Sequence, residues 1–529
     1  MQGVVDVPGG KQQAVVLNLS VSGGINTVAQ PTALAENQAR YLLNGVQPAG
    51  RLGPCAKRPG TIPVTTSPLS NPIRWITVYR TGADDRILVT AGNKLYRLNG
   101  TALQEVSGNL NSSDIFDVDF TDGNSQSRKI IVDGGAIKAY NDATNTVAAI
   151  TPAPDDPNPN PPNILNDLHS KGMKYCFSYQ GHVFLSDGSD TWWYSKRYTF
   201  DYFPSVQWER WVRENDYFQG PGISFDNVLM LPMRRGWGIL FGSSFDDFQG
   251  NQFLNTRAGV VAPRSIARLT YPDGRQTIAY LSDDGVYEIY DTQLLDTGSR
   301  RYSTRSISVD KIDFDALGLT EQEKEAAVGY FDPRTNLYLL RFNRGSERLC
   351  YAYDTRNSEW YPWTNIRAAG FARSGPNLFF AGETGHIHKF DPTLGSDWND
   401  ANMTSGTPVE FVRISDLIAL EKTGKMSVFD ELIIFARQYA TKSSLDVHVV
   451  FYSSKVEVNQ ALKNQYMTWD VTAWDEAAWA NLDYTDLVSA PKPLIFCKTS
   501  YFAQIIIRNN RDELCEIYDM AFKGRLSGY

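Results

Sequence analysis

GNKLYRLNG (residues 92–100) runs turn, apolar, ring, base, apolar, turn. The phrase returns as GGAIKAYND (134–142), DDGVYEIYD (283–291) and ETGHIHKFD (383–391), with a looser copy RLCYAYDT (348–355). Apolar and polar side chains alternate inside each copy, the period-2 sign of a half-buried strand, and Gly, Asp or Asn bounds it. Strands of this kind cannot bury their apolar faces alone. Recurring at intervals of tens of residues, they point to an all-β fold built on a β-propeller.

Strand–turn–strand units are expected at 75–100, 114–142, 174–195, 227–250, 265–291, 336–364 and 368–391, which admits six or seven blades within a propeller spanning 71–398. A proline run at 151–163 cannot supply ladder N–H groups and reads as an exposed connector. Near 310–328 a helical insertion is expected, because Thr320 and Glu323 have capping-box spacing. Residues 1–70 read as an N-terminal arm that packs on a neighbouring element. In it an apolar opening is followed by a Gly23-Gly24 turn and a short helix from Thr32 to Leu43, flanked by Pro31 and Asn44-Gly45. Past residue 398 the phrase disappears. Longer alternating strands at 429–454, 493–510 and 515–526 predict a C-terminal β-sandwich-like domain over 399–529. Between them Trp469, Trp474 and Trp479 stand five apart, a spacing that suits loop anchors or an interface.

At 529 residues, 42% hydrophobic and 21% charged, the composition is that of a folded soluble protein, and no apolar run approaches the ~20 residues needed to cross a bilayer. The opening lacks the basic-then-apolar order of a secretory signal, so assembly in a cytoplasm is expected. Cys55, Cys176, Cys350, Cys497 and Cys515 are scattered, odd in number and never in a CxxC pair, which suits small buried hydrophobes. A net charge of −8 argues against a protein that grips nucleic acid, since phosphate binding needs clustered Lys and Arg.

Several groups of residues could carry chemistry. His386 and His388 lie two apart on a strand and point to one side, as metal ligands can, yet a zinc site needs three or four convergent ligands and His169, His182 and His448 are isolated. The doublets Asp84-Asp85, Asp246-Asp247 and Asp283-Asp284 allow a paired-carboxylate glycosidase reading, but each falls where a hairpin turn is expected. Arg234-Arg235 and Lys196-Arg197 are weak platforms for nucleic acid, with Asp201, Glu209 and Asp246 near them in sequence. No GxSxG elbow, Walker loop, HExxH or GxGxxG occurs. The reading is a non-enzyme, with no catalytic, cofactor or metal residues assigned.

Three stretches then carry a resemblance: SGGINTVAQPTALAENQARYLLNGVQPAGRLGPCAKRPGT (22–61), QGHVFLSDGSDTWWYSKRYTFDYFP (180–204) with RGWGILFGSSFDDFQG (235–250), and the segment 310–363 with its helix and following blade. In the order of these parts the chain resembles the tail nozzle or tail hub proteins of short-tailed bacteriophages, also described as packaged-DNA stabilisation or tail tubular B proteins. The resemblance implies a virion structural protein assembled in the host cytoplasm. It would form a ring, usually of six copies, below the portal and its adaptor, and would neighbour tail fibre or spike proteins. DNA would be retained and led out through the ring without specific binding and without a cofactor. The alternative is a soluble propeller that binds glycan through rings such as Trp192, Trp193, Trp360 and Trp363.

Overall fold

A computed structural model describes residues 3–5, 14–30, 34–51, 53–80, 84–155, 161–244, 247–254, 256, 258–292, 302–420, 426–437, 439, 443–452, 456–463 and 489–526. Six four-stranded antiparallel sheets follow one another in chain order, at 75–105, 116–149, 175–210, 223–253, 267–306 and 328–364, and these are blades one to six. A seventh blade takes three strands from 368–391 and its fourth, Gly60–Pro63, from the other end of the chain. Its inner strand, Ala368–Ser374, packs on that of blade one, Trp75–Arg80, so the ring closes with seven blades.

Every copy of the repeated phrase lies on the third strand of its blade: Lys94–Asn99, Lys138–Asn141, Val286–Asp291, Glu347–Asp354 and Ile387–Asp391. The glycine that opens a copy makes the tight turn from the second strand; Gly92 and Gly385 sit at φ 55° and 71°, where a side chain would be strained. The apolar residue that follows is buried between blades. Leu95 shares an apolar cluster with Ile131 and Tyr140 of blade two, Ile137 with Cys176 and Val183 of blade three, and Ile387 with Ile76 and Ile87 of blade one. The phrase therefore encodes both the turn and the contact with the next blade. The capping box also forms: Thr320 and Glu323 cap a short helix, Glu321–Glu325.

The expected arm does not stand apart. Gly60–Pro63 runs antiparallel to Ile387–Asp391, with His388 opposite Pro63 and Asp391 opposite Gly60, and so supplies the fourth strand of blade seven, beyond which Ser396–Trp398 and Gly406–Pro408 continue the sheet. Upstream, Ala14–Ser20 pairs along Glu516–Leu526, Cys55–Lys57 pairs with the start of the same strand, and Tyr41–Leu43 pairs with Phe411–Ile414. Two sheets result. One orders Gly3–Val5, Ala14–Ser20, Glu516–Leu526, Ser427–Arg437 and Ser489–Ser500; the other orders Tyr41–Leu43, Phe411–Ile414, Ala503–Asn509, Ser444–Phe451 and Val456–Lys463. Alternate residues of the long strands, among them Phe429, Leu432, Ile434, Val447, Val449 and Phe522, are buried between the sheets. Strand pairing thus runs across the boundaries expected near residues 70 and 399, because both chain ends build the sandwich.

The helix expected from Thr32 to Leu43 does not form over the described residues 34–43; these make a turn and the strand Tyr41–Leu43. Its backbone groups are committed elsewhere. Gly23 N–H donates to the Asn37 carbonyl, Ala39 N–H to Gly24 and Asn26 N–H to Ala39, which leaves none of them for an i→i−4 ladder. Gly24 also lies so close to blade six that a Cβ would stand 2.2 Å from the Trp360 carbonyl oxygen. One apolar cluster runs from Leu19, Val21, Ile25 and Leu42 into Trp360, Tyr361 and Trp363, so sandwich and propeller share a core.

Candidate functional site

The starts of the inner strands surround one end of the propeller axis, and Arg264 spans it. This residue precedes the inner strand of blade five, yet its guanidinium donates to the carbonyls of Arg74 (3.4 Å) and Ile115 (2.7 Å) and to the Asp114 carboxylate, in blades one and two on the far side of the ring. It lies 4.2 Å from the Trp75 ring centroid and 5.0 Å from that of Phe116. Burial pulls the guanidinium below its ordinary pKa, and Asp114 opposes that pull. At this end the axis is filled by a side chain held from three blades. No motif in the sequence marks Arg264.

Around that mouth, two sets of residues singled out in the sequence answer one another. Arg234 donates to Asp283 (2.8 and 2.9 Å) and to Glu321 (3.1 Å) of the capped helix, and Lys324 donates to the Asp283 carbonyl. Asp284 accepts from the Tyr287 hydroxyl. The other doublets hold turns and surface pairs. Asp84 meets Arg86 and Asp85 meets Arg80, while Asp247 accepts from the backbone of Ser243 and Ser244, which lowers its pKa to about 2. Asp246 lies outside the described residues. The Lys196 and Arg197 side chains lie over the rings of Tyr202 and Tyr198.

His388 stands on the third strand of blade seven and His386 in the turn just before it, not on the strand as expected, with ring centroids 6.0 Å apart. His386 Nδ1 is 2.9 Å from Thr65 Oγ1, and His388 Nε2 is 2.9 Å from Thr384 Oγ1 while its ring stacks on Phe380. Among the described residues no three His, Cys, Asp or Glu side chains converge as a metal site would require. Burial, with His386 beside it, pulls the His388 imidazole down from 6.5 to about 4. Above pH 6.5 neither folded nor unfolded chain carries this charge; between about 6.5 and 4 the unfolded chain takes up a proton that the folded one refuses. Stability is expected to fall as pH falls through that window, by about 3 kcal/mol from this group. Denaturant titrations at pH 7 and pH 4 should show His388→Gln losing less than the parent, and equal losses would refute the assignment.

Of the rings proposed as a glycan platform, Trp192, Trp360 and Trp363 are buried and unavailable to a surface ligand. Trp193 is half-buried beneath Lys171. Trp469, Trp474 and Trp479 lie outside the described residues. Of the cysteines, Cys55, Cys176, Cys350 and Cys515 are buried, as expected of small hydrophobes, and Cys497 is exposed.

A cavity of about 810 Å³ lies at the seam where the sandwich meets blades six and seven. Its buried carboxylates Glu516 and Asp332 are matched within the protein. Glu516 accepts from Arg51 (3.2 Å) and Arg437 (3.1 Å), and Asp332 accepts a two-pronged contact from Arg373. Lys57, pulled down to about 8 by burial, donates to Asn509 and to the carbonyls of Arg511 and Glu513. Deeper in the seam Arg58, fully buried, donates to Asn44 (2.9 Å), to the Thr364 carbonyl (2.8 Å) and to both oxygens of Asp397 (3.0 and 2.6 Å). Such a set holds the two parts in one orientation.

No family model and no curated protein matches the chain. Solved structures do. Virginiamycin B lyase from Staphylococcus aureus is 11% identical with a TM-score of 0.38, over 62% of this chain and 97% of that one. BamB from Moraxella catarrhalis is 10% identical with a TM-score of 0.33, over 64% and 97%. The WD40 domain of Neurospora crassa Pan2 is 9% identical with a TM-score of 0.35, over 63% and 94%.

Proposed function

We propose that this chain is a structural subunit of the tail nozzle or hub of a short-tailed bacteriophage, one copy in a ring that extends the DNA channel below the portal and adaptor, and that it acts without catalytic turnover. The observation that supports this reading is the bracing of the molecule. Both chain ends are woven into one sandwich, that sandwich shares a core with blades five to seven, and an N-terminal strand closes the propeller. A wedge of this kind resists deformation under load from packaged DNA. Because Arg264 fills the axis of the propeller, a channel for duplex DNA runs between copies rather than through one. With a net charge of −8 per copy, such a lumen repels the duplex and lets it slide. The glycan-binding alternative drew on four rings, three of which are buried.

Particles of a short-tailed phage that encodes the chain are expected to carry it in the tail. Removing its gene should leave heads that package DNA and then lose it, with the tail ending at the adaptor when imaged. Infectious, DNA-filled particles without the chain would overturn the reading.

A further inference from the structure

We propose that the cavity at the seam between sandwich and propeller binds a small amphipathic anion, a molecule with an apolar body and one carboxylate or phosphate head, and that this guest braces the seam. The inference does not depend on the tail reading above.

The floor of the cavity is apolar. Leu337, Leu339 and Trp363 of blade six and Leu378 and Phe390 of blade seven line it. The rings of Trp363 and Phe390 have centroids 6.0 Å apart, and the Trp363 N–H is already donated to the Gly45 carbonyl, so the indole brings no unmet donor to the cavity. A volume of about 810 Å³ falls within the range of about 300–1,000 Å³ of ordinary small-molecule sites, which combine such walls with a few placed polar groups.

The charged groups that line it are four cations, Lys57, Arg334, Arg373 and Arg437, against two carboxylates, Asp332 and Glu516. Both carboxylates are already partnered. Asp332 accepts from Arg373 and from the Thr335 hydroxyl, and Glu516 is held between Arg51 and Arg437. The cations are not all engaged. Arg334, in the turn between the first two strands of blade six, is exposed, and its side chain forms no hydrogen bond or ion pair among the described residues. Arg437, at the end of the sandwich strand Ser427–Arg437, gives Glu516 one N–H and has further donors open. Lys57 donates only to neutral oxygens, and no carboxylate among the described residues pairs with its ammonium.

The cavity therefore holds surplus positive charge above an apolar floor, and low-dielectric walls concentrate that field on a guest. A neutral apolar guest would leave the guanidinium donors without an acceptor, and a cationic one would be repelled. An anionic head on an apolar body answers both features, since guanidinium groups take carboxylate or phosphate through paired N–H donors. Arg334 belongs to the propeller and Arg437 to the sandwich, so a guest between them is held by both parts.

Titration calorimetry and thermal melting of the purified full chain test this, with each guest below its micelle concentration. Octanoate or octyl phosphate should bind at one per chain and raise the melting temperature, the two arms showing which head the site takes. Octan-1-ol should bind about tenfold or more weakly, and octylammonium should not bind. Lengthening the better anion from eight carbons to ten should tighten binding about tenfold, as burial of two further methylenes requires. Arg334→Glu, at an exposed and unpartnered position, should leave the melting of the guest-free chain unchanged and weaken anion binding about tenfold or more, whereas Arg334→Lys should retain most of it. No saturable binding of either anion, equal binding of alcohol and anion, affinity indifferent to chain length, or an Arg334→Glu chain that binds like the parent would each overturn the site. None of these results touches the tail reading, which removal of the gene tests separately.

Discussion

A chain that starts at residue 64 is expected not to fold. Deleting 1–63 removes the fourth strand of blade seven, the seven-residue pairing of Ala14–Ser20 with Glu516–Leu526, and the strands Cys55–Lys57 and Tyr41–Leu43, one in each sheet of the sandwich. Leu19, Val21, Ile25 and Leu42 leave the shared core with them, each worth about 1.5–3 kcal/mol of burial, against a total stability of only about 5–15 kcal/mol. The product should be recovered in aggregates, with exposed edges at Ile387–Asp391 and Glu516–Leu526. Because what is lost is mainly strand pairing, supplying residues 1–63 as a separate co-expressed fragment should rescue soluble complex by strand addition. Circular dichroism and sedimentation report both outcomes. A soluble 64–529 fragment that melts like the parent would show that the N-terminal strands are appended to a fold complete without them.

The second large effect is expected at a single residue. Arg58→Ala should lower stability by about 3–5 kcal/mol, the usual cost of removing one partner from a buried ion pair. The side chain is fully buried, and its loss strands Asp397, whose side chain is only 13% exposed, along with the Thr364 carbonyl. Thr61, which donates to Asp397 at 3.0 Å, cannot neutralise the charge. Adding Asp397→Asn to the variant should recover part of the loss, since a neutral amide in the same place costs less to bury. Urea midpoints of the two single variants, the double and the parent give the coupling. A loss below about 1 kcal/mol for Arg58→Ala would mean that water or a neighbouring cation replaces it.

What was legible in the sequence is what neighbouring residues decide between themselves. Alternation within 94–99, 138–141, 286–291 and 387–391 makes strands, a glycine at positive φ makes the turn that precedes them, and an apolar residue just inside supplies the contact with the next blade. Thr320 and Glu323, three residues apart, cap a helix by themselves. Those short-range rules, repeated, carried the propeller. Where the rule was local but the partner distant, the reading failed. Pro31 and Asn44-Gly45 are sound helix boundaries, yet the backbone between them bonds to Gly23, Gly24 and Asn26, and Tyr41–Leu43 pairs with a strand more than 360 residues later. The Asp and Arg doublets could be assigned to turns or to sites, but only the folded ring shows Arg234 spending its charge on Asp283 and Glu321. Arg264 had no signal at all, being one arginine among many until seven blades bring Asp114, Trp75 and Phe116 around it. Strand and turn propensities were thus written in the sequence, while ring closure, the sandwich made from both chain ends and the filling of the axis were decided by tertiary structure, because hydrogen bonds and ion pairs between residues hundreds of positions apart leave no periodicity to read.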